Sequence, residues 1–272
     1  MDNNSDESPL YLFDKNFAAK MGLNTTHSRI REPNGRVPAY WPPRCFGEDF
    51  FSVLGSQRPD NQWLIIGPAR SGSTFHKDPN ATSAWNAVLR GSKYWIMFPG
   101  NPARLPPPGV YVSPDQSEVT FPLSIAEWLL NFHAPARRTP GCLEGICDEG
   151  EVLHVPSGWW HLVVNLRASI AITHNFVSRR HLGATLGFLK YKADQVSGFK
   201  RDVEDPYDTF VERMRQIHPE VLEAALAEVE GKRKRKWDEV VHGEKGDTGD
   251  REGEGNGFSF GFGDDGSDAD VP

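Results

Sequence analysis

The stretch Thr-Phe-His-Lys-Asp-Pro at residues 74–79 holds a histidine and an aspartate two positions apart. On a β-strand successive side chains alternate between faces, so His76 and Asp78 would project to the same side. A second histidine, His161, lies in the run Gly-Trp-Trp-His-Leu-Val-Val at residues 158–164, where aromatic and β-branched residues also predict a strand. Two histidines and one carboxylate on neighbouring strands form a facial triad, which binds Fe(II) by one face and leaves the other positions open.

A lysine follows the predicted metal strand. Taken alone, a histidine two residues before an aspartate is weak evidence, because the pair also occurs as a structural or solvated pair. Lys93 begins the next predicted strand after a two-residue turn at Gly91-Ser92, in a β-hairpin pattern. A compact ammonium suits the distal carboxylate of a 2-oxo acid. The alternative interpretation is that Lys93 is a solvent-facing turn residue.

Composition excludes several classes of protein. The chain has 272 residues, enough for one large or two small domains, and three cysteines, Cys45, Cys142 and Cys147, which are too few for a disulfide framework. Cys142 and Cys147 lack the second pair that a structural zinc site would need, so we interpret them as loop thiols. The amino terminus is polar without an apolar core, and no apolar run approaches a membrane span, so we expect a soluble intracellular protein in a reducing compartment.

Charge is concentrated at the carboxyl end. The formal net charge is −7, and residues 243–272 contain nine acidic and two basic residues, so the rest of the chain is neutral overall. This Gly-rich acidic tail has few large apolar side chains and predicts disorder. We predict four segments: a disordered amino terminus (1–9), a β-domain (10–180), a helical segment ending in a basic run (181–236) and a disordered tail (237–272).

Short apolar runs separated by Gly and Pro predict a mainly β fold, a jelly-roll barrel of the double-stranded β-helix type with flanking helices. The predicted strands cover residues 62–68, 74–78, 82–89, 93–99, 151–156, 161–164 and 168–176. A Ser-x-x-Glu capping box at Ser124 and Glu127 predicts a helix over 124–133. Further helices are predicted over 187–199, from Pro206 to 218 and from Pro219 to the basic run.

Four motifs, together with the segment Ser-Pro-Leu-Tyr-Leu-Phe-Asp at 8–14, resemble the jumonji-C domain family over about residues 8–178. The motifs occupy residues 73–79, 82–86, 93–99 and 155–166, and the likeness continues through 170–176. The resemblance is strongest to the branch that contains nuclear lysyl hydroxylases and arginine demethylases. It implies a double-stranded β-helix (cupin-like) fold and an Fe(II)/2-oxoglutarate-dependent oxygenase.

Position by position, the resemblance implies roles for nine residues. The implied iron ligands, which are also the catalytic centre, are His76, Asp78 and His161. The implied 2-oxoglutarate contacts are Lys93, Thr173, Tyr11 and Asn86, with Ser73 where the family often has threonine and Asn165 as a pocket asparagine near the iron. His154 and His174 match no motif position, and we interpret them as structural.

The implied reaction oxidises a protein side chain with O₂ while 2-oxoglutarate becomes succinate and CO₂, with ascorbate as a supporting reductant. Hydroxylation of lysine and demethylation of methyl-arginine or methyl-lysine both remain open, and we favour hydroxylation. The expected partners are nuclear proteins with Lys/Arg-rich segments, such as histone tails or splicing factors. The alternative is a non-catalytic scaffold that binds chromatin or RNA-processing proteins, although an inactive scaffold would be expected to have lost one of the ligands.

The basic run Lys232–Lys236 has two interpretations. It is either a solvated helix end, which the helix dipole favours, or a nuclear import signal that also contacts RNA or chromatin. The resemblance favours the nucleus, with the cytoplasm as a further location and no membrane association.

Overall fold

The computed structural model describes residues 10–23, 39–100, 105–114 and 118–242, with side chains to residue 235. The predicted disorder of residues 1–9 and 243–272 lies outside these ranges. Residues to Gly231 form one compact unit, and those from Lys232 form a second. The predicted segment boundary at residue 180 stays a prediction.

Antiparallel β-structure dominates the first unit. The strands are β1 (Leu12–Asp14), β2 (Gln62–Gly67), β3 (Gly72–His76), β4 (Ser83–Phe98), β5 (Leu143–Asp148), β6 (Val152–Val155) and β7 (Trp160–Phe176). They form one sheet in the order β1-β2-β7-β4-β5, with β3 also paired to β7 and β6 to β4. The prediction of a mainly β fold is therefore correct.

The helices flank this sheet. They are α1 (Phe17–Lys20), α2 (Ile125–Asn131), α3 (His133–Arg137), α4 (Leu182–Tyr191), α5 (Pro206–Ile217) and α6 (Pro219–His242), with 3₁₀ segments at Arg44–Phe46, Phe50–Gln57, Pro79–Ala81, Arg179–His181 and Ala193–Gln195. The predicted capping box is present, because the Ser124 hydroxyl accepts from the Glu127 amide and the Glu127 carboxylate accepts from the Ser124 amide. The described helices include none that is long and apolar enough to cross a bilayer.

Two helix predictions were wrong in extent. The helix predicted over 187–199 is α4, which begins earlier because Leu182, Leu186 and Leu189 place a buried stripe at helical spacing. α4 ends where Lys192 leaves helical geometry. The last helix, α6, continues to His242 beyond the basic run, so residues 237–242 are helical rather than part of a disordered tail. The first helix-breaking residue after the run is Gly243.

The predicted β-hairpin at Gly91-Ser92 was also wrong. β4 runs without a turn from Ser83 to Phe98, and its pairing with β7 shifts register at three places between Val88 and Lys93. Gly91 has φ +90°, a left-handed conformation that serves a bulge here. The two strands predicted on either side of residues 165–167 are likewise one strand, β7. No Gly or Pro interrupts it.

These bulges decide which side chains face inward. Regular alternation would put Asn86 and Lys93 on opposite faces, because one is even and the other odd. The register shifts change the parity, and both side chains line one cavity. In β3, the pairing with β7 also shifts between Ser73 and His76. Both of these side chains line the cavity, although one residue number is odd and the other even. Local irregularity therefore builds the inner surface of the sheet.

We expect Gly91→Ala to lower the free energy of unfolding by about 1–3 kcal/mol, the usual cost of backbone strain at a disfavoured conformation. An added Cβ at Gly91 would meet the Ala168 carbonyl oxygen at 2.3 Å. The matched control is Gly145→Ala on β5, where an added Cβ meets nothing within 4 Å. Urea denaturation of both variants is the measurement, and equal stabilities would contradict a bulge at Gly91.

Candidate active site

The inner face of the sheet encloses a cavity of about 280 Å³. Strands β2, β3, β4, β6 and β7 contribute to its wall, and Tyr11 and Phe13 close it from the amino-terminal side. Eight of the nine residues predicted for the site line this cavity: Tyr11, Ser73, His76, Asp78, Asn86, Lys93, His161 and Thr173.

The two histidines are held in the tautomer that a metal requires. His76 Nδ1 lies 2.8 Å from the Thr74 carbonyl oxygen, and His161 Nδ1 lies 3.1 Å from the Trp159 carbonyl oxygen. Since a carbonyl only accepts hydrogen bonds, each ring donates from Nδ1, and the neutral form of such a ring has its lone pair on Nε2. The two ring centroids are 4.1 Å apart. Burial, with the nearby His76, holds the pKa of His161 well below its usual range, although the Trp159 carbonyl opposes the shift, so the ring stays neutral.

Asp78 completes the cluster from outside the strand. The prediction that β3 continues to Asp78 was wrong, because β3 ends at His76. Asp78 follows the strand with an extended backbone, as is usual for a residue before proline. Its position is nevertheless suitable, since potential ligand atoms of His76, Asp78 and His161 all lie within 4.8 Å of one another. Burial raises the pKa of the Asp78 carboxyl, opposed by the charge of His76 and a hydrogen bond from Asn175. Asp78 Oδ2 is buried and has no hydrogen-bond partner among the described residues.

The loop that carries Asp78 is anchored on two sides. Asn80 and Ala81 have positive φ angles of 55° and 52°, which bring the chain sharply back towards β4. The Asn80 side chain donates to the Ser197 carbonyl at 2.8 Å and accepts from the Ser197 amide at 3.0 Å. The Ala81 carbonyl accepts from the Ser157 hydroxyl at 2.6 Å and from the Thr185 hydroxyl at 3.2 Å. These bonds hold the carboxylate loop against both the sheet and the helices that follow it.

Lys93 is a buried cation that has no anionic partner among the described residues. Its side chain is 1% exposed, and its Nζ donates to Asn165 Oδ1 at 2.8 Å. Within the described ranges no carboxylate forms an ion pair with it. Burial lowers the pKa of Lys93 to about 8, and nearby Cys147 opposes the shift. The interpretation of Lys93 as a solvent-facing turn residue is therefore excluded.

Asn165 lies behind Lys93, and its predicted role in the pocket stays a prediction. It does not line the cavity near the two histidines. Asn165 pairs in register with Lys93, two residues after Val163 along β7. Its side-chain amide also donates to Ser71 Oγ at 2.9 Å. Because Asn165 follows His161 by four residues, both side chains project from the same face of β7. The position of Asn165 along the strand places it against Lys93. Asn165 therefore orients the Lys93 ammonium from behind.

The other predicted contacts surround the space in front of Lys93. The Tyr11 ring centroid lies 5.7 Å from Lys93 Nζ, and burial raises the pKa of the Tyr11 phenol, which stays protonated. The Thr173 hydroxyl donates to the Trp85 carbonyl at 3.1 Å, which leaves its oxygen lone pairs as acceptors. Asn86 Oδ1 is buried and, in the part of the chain that the structure describes, makes no hydrogen bond.

Sequence reasoning missed two further residues of the wall. Trp95 stacks on His161, with ring centroids 6.0 Å apart and an interplanar angle of 27°, and its buried Nε1 lacks a hydrogen-bond partner among the described residues. Asn175 donates to Thr82 Oγ1 at 2.9 Å and also bonds Asp78. Both could have been found from strand parity, because each lies two residues along its strand from a predicted site residue.

A family model described as a cupin-like domain matches residues 3–181 of the chain. The chain belongs to the cupin-like domain family. This membership, together with the relatives below, confirms the jumonji-C resemblance and the predicted jelly-roll class.

Curated relatives of this cupin-like chain include three with informative names. The arginine-specific demethylase JMJ22 of Arabidopsis thaliana is 46% identical over 226 residues, covering 82% of this chain and 42% of that protein. The bifunctional arginine demethylase and lysyl-hydroxylase psr-1 of Caenorhabditis elegans is 36% identical over 186 residues, covering 66% of this chain and 43% of that protein. The 2-oxoglutarate and iron-dependent oxygenase JMJD4 of Danio rerio is 30% identical over 191 residues, covering 69% and 42% respectively. The chain thus spans less than half the length of these relatives.

The residues present fit Fe(II) and 2-oxoglutarate. Two imidazole Nε2 atoms and one buried carboxylate oxygen supply the nitrogen and oxygen ligands of a facial triad. The Lys93 ammonium, which has Asn165 Oδ1 as its one acceptor among the described residues, can bind a carboxylate through its remaining protons. In this cupin-like site, the triad would hold the metal and the Lys93 ammonium would hold a carboxylate of 2-oxoglutarate.

We expect His76→Ala to abolish tight binding of Fe(II) or of Co(II) as a substitute, because two protein ligands remain where three are needed. The matched control is His154→Ala, since His154 lies on β6 beside Trp85 and outside the cavity. Isothermal titration with the metal alone is the measurement. Unchanged affinity in the His76 variant would refute the assignment of the triad.

Proposed function

We propose that this protein is an Fe(II)- and 2-oxoglutarate-dependent dioxygenase that oxidises lysine or methylated arginine and lysine side chains of nuclear proteins. Hydroxylation of lysine and removal of a methyl group are both within its chemistry, because each begins with oxidation at a side-chain carbon. Release of succinate and CO₂ accompanies either reaction, and ascorbate is the expected supporting reductant.

The observation that carries the proposal is the buried ammonium of Lys93 in the same cavity as the triad. Burying an unpaired charge costs several kcal/mol, so a fold retains it where a ligand of opposite charge compensates. The dicarboxylate 2-oxoglutarate can reach both ends of such a cavity, with one carboxylate at Lys93 and the other end at the metal. A structural lysine would instead be paired with a carboxylate or extend to solvent.

The chain's own residues bind and orient the reactants. Lys93 neutralises the distal carboxylate, with Asn165 fixing its ammonium from behind and the Tyr11 phenol beside it. His76, His161 and Asp78 would hold Fe(II), which supplies the redox chemistry when bound. The hydrophobic wall of Trp95, Val163 and neighbouring residues limits water in the cavity.

Names of the relatives support a protein substrate with arginine or lysine side chains, since they include an arginine demethylase and a bifunctional demethylase and lysyl-hydroxylase. We favour lysyl hydroxylation, with histone tails or splicing factors as substrate proteins. The basic run Lys232–Lys236, as an import signal or as a contact for RNA or chromatin, supports a nuclear location.

The second candidate function is a non-catalytic scaffold that binds chromatin or RNA-processing proteins. The same basic run is the observation that favours it. The intact triad and the buried Lys93 argue against it, because a scaffold has no need for an unpaired ammonium facing a metal site.

Binding of 2-oxoglutarate is expected to weaken as the pH rises through about 8. Because the Lys93 pKa is lowered to about 8, the ammonium is charged below that pH and loses its proton above it. Lys93→Ala should bind 2-oxoglutarate roughly tenfold or more weakly and lose this pH dependence, as expected for one charge-assisted contact. Titration of Co(II)-loaded protein at pH 6.5 to 9.5 is the measurement. The matched control is Lys190→Ala, whose lysine is exposed and outside the cavity; the same loss in that variant would contradict the assignment.

The reaction is tested with purified protein, Fe(II), ascorbate, 2-oxoglutarate and a panel of Lys/Arg-rich nuclear peptides, by measuring succinate and peptide mass together. A gain of one oxygen atom with succinate supports a hydroxylase, and loss of a methyl group supports a demethylase. Iron-loaded protein that makes no succinate with or without peptide would favour the scaffold.

A further inference from the structure

The indole nitrogen of Trp95 is a hydrogen-bond donor that the described part of the fold leaves unused. Trp95 lies on β4 and is 4% exposed, and its side chain lines the active-site cavity. Its Nε1 atom is buried and has no hydrogen-bond partner among the described residues. An indole N–H can only donate, so without an acceptor it loses the hydrogen bond that water would give it. Neither the triad nor the contacts around Lys93 use this group.

A second buried tryptophan shows how the fold treats an indole that serves packing. Trp128 in α2 is 2% exposed and lies outside the active-site cavity. Its Nε1 donates to the Pro108 carbonyl oxygen at 2.8 Å. Buried tryptophans usually find a partner for the N–H in this way. Since Trp95 lines the active-site cavity, an acceptor for its N–H can come from a ligand in that cavity.

The strand register places Trp95 between the two ends of the cavity. On β4 it lies two residues after Lys93, and its partner on β7 is Val163. Val163 in turn lies midway along β7 between Asn165, which contacts the Lys93 ammonium, and His161. The Trp95 ring stacks on the His161 ring, with centroids 6.0 Å apart. The indole is therefore packed against a metal ligand, one residue pair away from the pair of Lys93 and Asn165.

We infer that the Trp95 N–H donates a hydrogen bond to the carboxylate of 2-oxoglutarate that lies beside the metal. This inference rests on the proposed function, in which Lys93 binds the distal carboxylate. 2-Oxoglutarate offers only acceptors, two carboxylates and a keto oxygen, and so complements a donor that lacks an acceptor. Hydrogen bonds to carboxylates are among the stronger ones in proteins. Trp95 thus positions the reactive end of the co-substrate, whereas Lys93 anchors the other end.

Titration of two 2-oxo acids into the full Co(II)-loaded chain separates the two ends. The acids are 2-oxoglutarate and 2-oxopentanoate, which has a carbon chain of the same length but no distal carboxylate. Trp95→Phe keeps an aromatic ring against His161 and removes the N–H. We expect this variant to bind both acids at least fivefold more weakly, by the same factor, because one hydrogen bond to a charged group is lost. Lys93→Ala should weaken the binding of 2-oxoglutarate alone.

The matched control is Trp128→Phe, which removes an indole N–H outside the cavity and should bind both acids as the unaltered chain does. The affinity of Trp95→Phe for Co(II) should stay unchanged, because all three ligands of the triad remain. Equal binding of 2-oxoglutarate by Trp95→Phe and by the unaltered chain would overturn the inference. A loss confined to 2-oxoglutarate would also overturn it, because the N–H would then act on the distal carboxylate.

A spectrum of the unaltered chain tests the same bond without a variant. The chain has eight tryptophans, and each gives an indole signal in a proton–nitrogen correlation spectrum of the Zn(II)-loaded protein. After sequential assignment, the Trp95 indole proton should move downfield on addition of 2-oxoglutarate, as an N–H does when a carboxylate accepts from it. The Trp128 indole proton should not move. A Trp95 signal that stays in place at saturating 2-oxoglutarate would refute the inference.

Failure of this inference and failure of the proposed function give different results. If the unaltered Co(II)-loaded chain does not bind 2-oxoglutarate, or if Lys93→Ala binds it as tightly, the proposed function fails and the inference fails with it. If binding depends on Lys93 but not on Trp95, the inference alone fails.

Discussion

The pairing of β4 with β7 is irregular between Val88 and Lys93, and the chemistry of the inner cavity depends on this irregularity. With regular alternation, Lys93 would face away from Asn86 and the ammonium would lie outside the cavity that holds the triad. The register shifts exchange the two faces of β4 part-way along its length. Gly91 allows the exchange because its left-handed backbone is closed to most side chains and its neighbour across the sheet leaves no room for a Cβ. Gly91 therefore helps to determine which face of β4 carries Lys93.

The inner cavity concentrates groups that folding alone leaves unfavourable. Lys93 is buried without a counter-charge, and Asp78 Oδ2 and Asn86 Oδ1 are buried without hydrogen-bond partners among the described residues. Each unmet group costs about 1–3 kcal/mol, more where charge is involved. A metal would satisfy Asp78 and a dicarboxylate would satisfy Lys93, and ligand binding would therefore stabilise the folded state by mass action. Folding and ligand binding are therefore thermodynamically linked.

Much of this architecture can be predicted from the sequence. His76, Asp78, His161 and Lys93 could be assigned because strand patterns flank each of them, and the Ser124 capping box and the Asp205-Pro206 helix start were correct. The β-hairpin at Gly91-Ser92 was wrong because a glycine in a strand signals either a turn or a bulge, and the partner strand decides between them. For Asn165, strand parity gives the face of β7 but not its contact with Lys93, which depends on the pairing of β4 with β7. The bonds that anchor the Asp78 loop, such as those between Asn80 and Ser197, join residues far apart in the chain, which no local pattern records.

The family match ends at residue 181, yet the loop that carries Asp78 is held in part by residues beyond that point. Asn80 is bonded to Ser197 in both directions, and the Ala81 carbonyl accepts from Thr185 in α4. A fragment cut at the edge of the recognised family would keep all three ligands but lose the two bonds to Ser197 and the bond from Thr185. The mechanical support of the ligand loop therefore extends beyond the residues that the family model matches. Residues beyond the family match thus contribute to how firmly the carboxylate is held.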